Sequence, residues 1–268
     1  MTIAFAAPQY FKNALHPQEE KETLWFLFSG DQLLVSFDKK TIPTTHTLPL
    51  LRSVYMGTLE DKHLFAAETE QQIAQPGWLW VPLRFLHGCL PEEYYALAGR
   101  AASLLNWDRT HAYCGRCGSP TFSRKQERCK ECSACGHLAY PKMAPAIMAL
   151  VKKGNKILLA RSPHFPEKLY SVLAGFVDPG ETLEQCVIRE VQEEVGLQVK
   201  NLQYFGSQPW PLSHSLMIGF TCEWASGEIQ TDPLEIEDAR WFEHTNLPQI
   251  PTNISLARPL IDSAFLNS

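Results

Sequence analysis

Over the first hundred residues the apolar positions come in short runs broken by turn chemistry. LWFLF is followed by SGDQ and LLVSF, and SVYMGTL by EDKH and LFAAE. Such pairs predict hairpins of a mostly β module. Next, PEEYYALAGRAASLLNW places Tyr94, Leu97, Ala98, Ala101, Leu104 and Leu105 at helical spacing behind an acidic first turn, which predicts an amphipathic helix. From residue 141 the texture changes to APAIMALV, a KKGN turn, KILLAR and SVLAGF, a hairpin plus a further buried strand. A helix is expected next. Strands follow near LQYFGS, SLMIGFTCEW, GEIQ and ARWFE, and a last helix around SLARPLIDSAF. Strands interleaved with helices predict an α/β domain of about 130 residues. The expected division is an N-terminal domain over 1–110, a cysteine-rich segment over 111–140 and the α/β domain over 141–268.

A chain of 268 residues is long enough for more than one core. Its formal charge of -5 argues against a protein that coats nucleic acid or anionic lipid. The start, MTIAFAAPQYFKN, lacks a basic region followed by a sustained apolar stretch, and no run approaches the ~18 apolar residues of a membrane span. The expectation is a soluble, cytoplasmic protein with no membrane partner.

Five of the eight cysteines fall between Cys114 and Cys135. Cys114 with Cys117, and Cys132 with Cys135, have C-x-x-C spacing, and each pair is followed by glycine, Gly118 or Gly136. A knuckle that aims two thiolates at one ion turns its backbone back on itself, and glycine accepts the positive φ such a turn needs. Four thiolates in this arrangement predict a structural Zn2+ site, with Cys129 a spare. Arg116, Arg124, Lys125, Arg128 and Lys130 are interspersed with Glu127 and Glu131, so contact with RNA and a plain solvated face are both open readings.

The stretch GFVDPGETLEQCVIREVQEEVGL, residues 175–197, carries the chemistry. Thr182 with Gln185 forms a capping box and Gly196 a terminator, which frames a helix from about Leu183 to Val195. Val187, Ile188, Val191 and Val195 are expected as its apolar stripe, with Glu190, Glu193 and Glu194 grouped opposite. Carboxylates crowded near the negative end of a helix call for a cation, and hard oxygen ligands suit Mg2+ or Mn2+. The residues resemble the Nudix box, G-x5-E-x7-R-E-U-x-E-E-x-G-U with U aliphatic. Gly175, Glu181, Arg189, Glu190, Glu193, Glu194 and Gly196 all match, with Val191 and Leu197 at the aliphatic positions. The resemblance implies an α/β/α sandwich with a mixed sheet that hydrolyses a nucleoside diphosphate linked to another moiety. It implies divalent metal held by Glu190, Glu193 and Glu194, with Glu235 and the Ala174 carbonyl as further ligands. Arg189 is expected to hold a carboxylate in place, and Glu193 is a ligand or the base.

Downstream, SQPWP and Ser215 resemble the SQPWPFPxS motif of the bacterial NADH pyrophosphatase family, which also carries an N-terminal domain and a four-cysteine ribbon before its Nudix domain. Leu212 and Ser213 depart from that motif. The resemblance implies a homodimer that cleaves NAD(H) to NMN(H) and AMP and removes the NAD cap from RNA 5′ ends. It implies substrate contacts from Gln208, Pro209, Trp210, Pro211, Leu212, Ser213, His214 and Ser215, with Tyr140 and Phe176 around the adenine. Arg84, Glu127 and Ala257 are further candidates. The departures keep open a hydrolase of another dinucleotide or ADP-ribose, and a different class of reading is a non-catalytic zinc-ribbon sensor.

Overall fold

A computed structural model describes residues 3–70 and 72–265. Its contacts divide the chain into two compact units, one of Phe5–Lys142 with Pro211–His214, the other of Met1–Ala4, Met143–Trp210 and Ser215–Ser268.

In the first unit, β1 (Phe11–Asn13), β2 (Thr23–Ser29), β3 (Gln32–Ser36), β4 (Arg52–Leu59), β5 (Lys62–Glu68) and β6 (Trp78–Pro82) form one sheet in the order β1-β4-β5-β2-β3-β6. The hairpins expected from alternating runs are β2 with β3 and β4 with β5. Helix α1 (Glu92–Thr110) packs on β4 and β5 and buries Leu97, Ala98, Ala101 and Leu105. Glu68 ties sheet to helix, accepting from Arg52 at 2.6 Å and Arg109 at 2.9 Å. Three short strands, β7 (Thr121–Ser123), β8 (Lys130–Cys132) and β9 (Leu138–Ala139), make a separate small sheet. Lys130 fastens it to α1 through Asp108, 2.6 Å away.

The second unit contains β10 (Ala144–Lys153), β11 (Lys156–Arg161), β12 (Leu173–Phe176), α2 (Leu183–Val195), β13 (Gln198–Trp210), β14 (Ser215–Ser226), β15 (Asp238–Glu243) and α3 (Ala257–Ser263). The strand order is β13-β14-β10-β11-β15, with β12 also on β10. Only β10 with β14 is parallel, so the sheet is mixed. The period of two along β10 assigns the faces. Ile147, Ala149 and Val151 pack with Val187, Val191 and Val195 of α2, while Ala146, Met148 and Leu150 pack with Leu260 and Ile261 of α3. Helix, sheet and helix form the expected sandwich.

One expected strand is absent. GEIQ is irregular, because its backbone closes the end of α2 instead of joining a ladder: the Gln230 N–H donates to the Val195 carbonyl at 2.9 Å, and Asp232 N–H to the Glu194 carbonyl at 3.1 Å. Helix C-terminal carbonyls need such donors. No described helix is long and apolar enough to cross a membrane.

Candidate active site

Local chemistry frames α2 at both ends. The Thr182 hydroxyl accepts from the Gln185 N–H at 3.2 Å, the Gln185 side chain accepts from the Thr182 N–H at 2.8 Å, and Gly196 ends the helix at φ 71°. The faces differ from the simple stripe. Ile188 is 41% exposed, whereas Glu190 and Glu194 are buried beside Val187 and Val191. Positions 187, 190, 191 and 194 follow the i, i+3, i+4, i+7 rule and so form one seam, while 188 is turned a further 100° towards solvent. Two carboxylates therefore occupy the edge of the core.

Arg189 organises the acidic groups. It donates to Glu181 at 2.6 and 3.0 Å, to Glu190 at 2.8 Å and to Glu193 at 3.0 Å, and reaches the Phe176 carbonyl at 3.0 Å. It thus binds the loop before the helix to the carboxylates on it, engaging three acids where one was expected. The Arg189 pairing, with the Asp178 N–H, holds Glu181 down to about pKa 2. Burial raises the Glu190 pKa, with Arg189 opposing and Glu193 and Glu235 adding to the rise. Glu194 receives no such cation. Burial, then the charges of Glu190, Glu235 and Glu193, push it up to about 8, and its buried Oε2 has no hydrogen-bond partner.

A buried, unpartnered carboxylate oxygen that feels the charge of three further carboxylates suits a hard divalent cation. Glu235 stands in the turn that closes α2, its N–H donating to the Asp232 carbonyl at 3.1 Å. That turn was missed because GEIQ reads locally as a strand. Ala174 lies exposed on β12, next to Gly175 and opposite Met148.

The SQPW residues form the last part of β13, the edge strand, with Pro209 opposite Leu216 and Trp210 opposite Ser215. An edge is where a sheet accommodates proline. Trp210 packs into the α3 core, and Ser215 is buried. Gln208, 1% exposed, donates to the carbonyls of Ala4 at 3.1 Å and Ile254 at 2.8 Å, and accepts from the Leu256 N–H at 2.7 Å. Its amide holds the approach to α3, where Ala257, also buried, is the first residue. No signal in the local sequence marks that bracing role.

The remaining candidates lie in the first unit, apart from Phe176, which is 56% exposed on β12. Tyr140 donates to Glu127 at 2.9 Å, and Arg124 pairs with the same carboxylate at 2.8 Å. Arg84, Pro211, Leu212 and His214 line a cavity of about 390 Å³ with Arg109 and Glu68. Ser213 belongs to the same turn, and His214 has a left-handed backbone at φ 55°.

The sulfurs of Cys114, Cys117, Cys132 and Cys135 lie within 4.8 Å of one another, and Cys129 is buried outside the group. Gly118 and Gly136 have φ of 76° and 68°, and their N–H groups donate to the carbonyls of Cys114 at 2.9 Å and Cys132 at 3.2 Å. Both knuckles thus have the turn the glycines predict, and the four sulfurs suit tetrahedral zinc. Of the basic residues nearby, Arg124 pairs with Glu127 and Glu131, Lys130 with Asp108, and Arg128 donates to the Tyr55 carbonyl. Most of this charge is engaged within the chain.

Known proteins agree with this arrangement. The model for the NUDIX domain matches residues 142–263, that for the NADH pyrophosphatase-like rudimentary NUDIX domain residues 22–107, and that for the NADH pyrophosphatase zinc ribbon domain residues 109–140. The protein of Chromobacterium violaceum named NAD-capped RNA hydrolase NudC is 40% identical over 254 residues, 95% of this chain and 96% of its own. Proteins of the same name from Deinococcus radiodurans and Pseudomonas aeruginosa are 39% identical over 96% of this chain and 93% of theirs, and 45% identical over 80% and 77%. With all three family models and these relatives matching, the chain belongs to the NADH pyrophosphatase family of Nudix hydrolases.

Proposed function

We infer that this protein hydrolyses the pyrophosphate bond of NAD(H) to NMN(H) and AMP, and removes the NAD cap from RNA to leave NMN and a 5′-monophosphate end. The observation that carries the chemistry is the buried pair Glu190 and Glu194, the latter with an unpartnered oxygen. The substrate is supported by the relatives' shared name and by SQPWP.

Glu190, Glu194, Glu235 and the Ala174 carbonyl are the groups that would hold Mg2+ or Mn2+. When bound, such a cation neutralises phosphate oxygens and acidifies water. The chain's own residues do the rest. Arg189 keeps three carboxylates in register, so they need no reorganisation as charge develops. Glu193, whose side chain is 58% exposed, is the acid open to an incoming water and is assigned as base. Water oxygen bonds to phosphorus, its proton passes to Glu193, and the bridging oxygen leaves with the other phosphate.

Exposed Phe176 offers an aromatic face for adenine, Tyr140 is a separate candidate for the same role, and the protein acts as a homodimer. In capped RNA the strand continues from the adenosine side, so the same bond is cleaved. Hydrolysis of NADH, NAD and ADP-ribose compared under Mg2+ and Mn2+ tests the assignment. A preference for the nicotinamide compounds is expected; faster cleavage of ADP-ribose favours the alternative that Leu212 and Ser213 leave open.

A further inference from the structure

The second unit contains a cavity of about 610 Å³ that none of the proposed hydrolytic residues lines, a size typical of small-ligand sites. It lies along the outer strand β15, on the face of the sheet that α3 covers, since Tyr170, Phe242 and Leu247 of its wall pack with the α3 core. Helix α2 and its carboxylates pack on the opposite face.

Its lining combines two kinds of chemistry. Tyr170 and Phe242 meet edge to face, 5.4 Å between ring centres, and supply an aromatic wall. Arg161, Lys168 and Arg240 supply cationic donors, and Asn246 and Gln249 supply side-chain amides. Each guanidinium has a carboxylate partner, and the Arg240 side chain is 68% exposed. Arg240 Nε lies 2.8 Å from Asp238, Arg161 Nη2 pairs with Glu237, and the Tyr170 hydroxyl donates to Asp238. The Nη groups of Arg240, the Lys168 ammonium and the amides of Asn246 and Gln249 have no side-chain partner among the described residues. Lys168 is also held in a left-handed backbone, φ 67°, a conformation uncommon for a non-glycine residue.

We propose that this cavity is a second nucleotide-binding site, which takes a nucleoside monophosphate unit with its base against Tyr170 and Phe242 and its phosphate on Arg240 and Lys168. The forked Nη donors of a guanidinium suit phosphate, an aromatic wall accepts a base of any identity, and the two amides match base edges. Glu167 also lines the cavity, and with Glu237 and Asp238 it balances the three cations. Recognition therefore depends on directed donors and stacking, with affinity in roughly the millimolar range. The unit comes either from free nucleotide or from a residue within an RNA strand.

The test is site-resolved binding to the full-length protein, followed by 15N NMR at the backbone amides of Lys168, Asn246 and Gln249, and it does not depend on hydrolysis. AMP is expected to shift these amides saturably, with adenosine alone and inorganic phosphate alone about tenfold weaker or more. Lys168→Asn, which tolerates the left-handed backbone, combined with Arg240→Gln is expected to weaken AMP about tenfold at an unchanged melting temperature. The exposed Asn246→Ala gives a second weakened variant that leaves the fold intact. An uncapped 5′-monophosphorylated oligoribonucleotide that shifts the same amides with higher affinity than AMP assigns the site to an RNA strand; equal or lower affinity assigns it to free nucleotide. Amides unmoved by AMP, or variants that bind it as the wild type does, would overturn the proposal.

Discussion

The Glu190 carboxylate occupies the space a side chain on Gly175 would need: a Cβ there would lie 1.8 Å from the Glu190 carboxyl carbon and 2.0 and 2.2 Å from its oxygens. The box glycine is thus the cradle of a buried acid on α2. Gly175→Ala must displace that acid. The expected outcome is a fall in kcat of about 100-fold or more, equivalent to about 2.7 kcal/mol, measured by steady-state NADH hydrolysis, with a folded protein by circular dichroism.

Glu194 sets a pH dependence whose sign is opposite to that of a salt-bridged acid. Burial and neighbouring carboxylates raise its folded-state pKa to about 8, so the fold favours the protonated form. The stability this contributes is complete below the unfolded value of about 4.3 and is lost as pH rises through about 8. Without divalent cation, Glu194→Gln should therefore melt higher than the wild type at pH 8.5, by about 5 °C, while the two converge near pH 4.5. The same variant should lose most turnover. Wild-type affinity for Mg2+ or Mn2+ should rise with pH across 6.5 to 8.5, because the ligand must shed its proton. Calorimetric melting and metal titration measure both.

Gln208 is expected to behave as a brace. Gln208→Leu leaves the part-buried carbonyls of Ala4 and Ile254 and the buried Leu256 N–H without their partner. Stability should fall by about 2–4 kcal/mol, read as a shift in urea midpoint. Gln208→Glu, which near pH 4 keeps an acceptor for Leu256 and, when protonated, one donor in place of two, should fall between that variant and the wild type.

The ribbon is expected to hold one zinc per chain. Cys114→Ser should lose it and lower the melting temperature, because metal binding in such modules is folding free energy; Cys129→Ser should retain full zinc by elemental analysis.

The limits of α2 were legible because Thr182, Gln185 and Gly196 act within a turn of themselves, and the zinc knuckles because Gly118 and Gly136 act on the cysteines just before them. What escaped depends on distant chain. Ile188 and Glu190 exchange their expected surroundings because the sheet beneath, not the helix, selects the buried seam. GEIQ has strand composition, but free carbonyls at Val195 and Glu194 capture its backbone. The partners of Gln208 stand 204, 46 and 48 residues away, and no local pattern encodes them.

In the proposed reaction these carboxylates serve cleavage of the pyrophosphate of NAD(H), free or as an RNA cap. Product analysis after parallel incubation with NADH and with NAD-capped RNA tests it most directly, using wild type and Glu194→Gln. The expected products are NMNH with AMP from the first substrate and NMN with 5′-monophosphate RNA from the second, with little of either from the variant. Intact caps and dinucleotide with the wild type, or full turnover by Glu194→Gln, would contradict it.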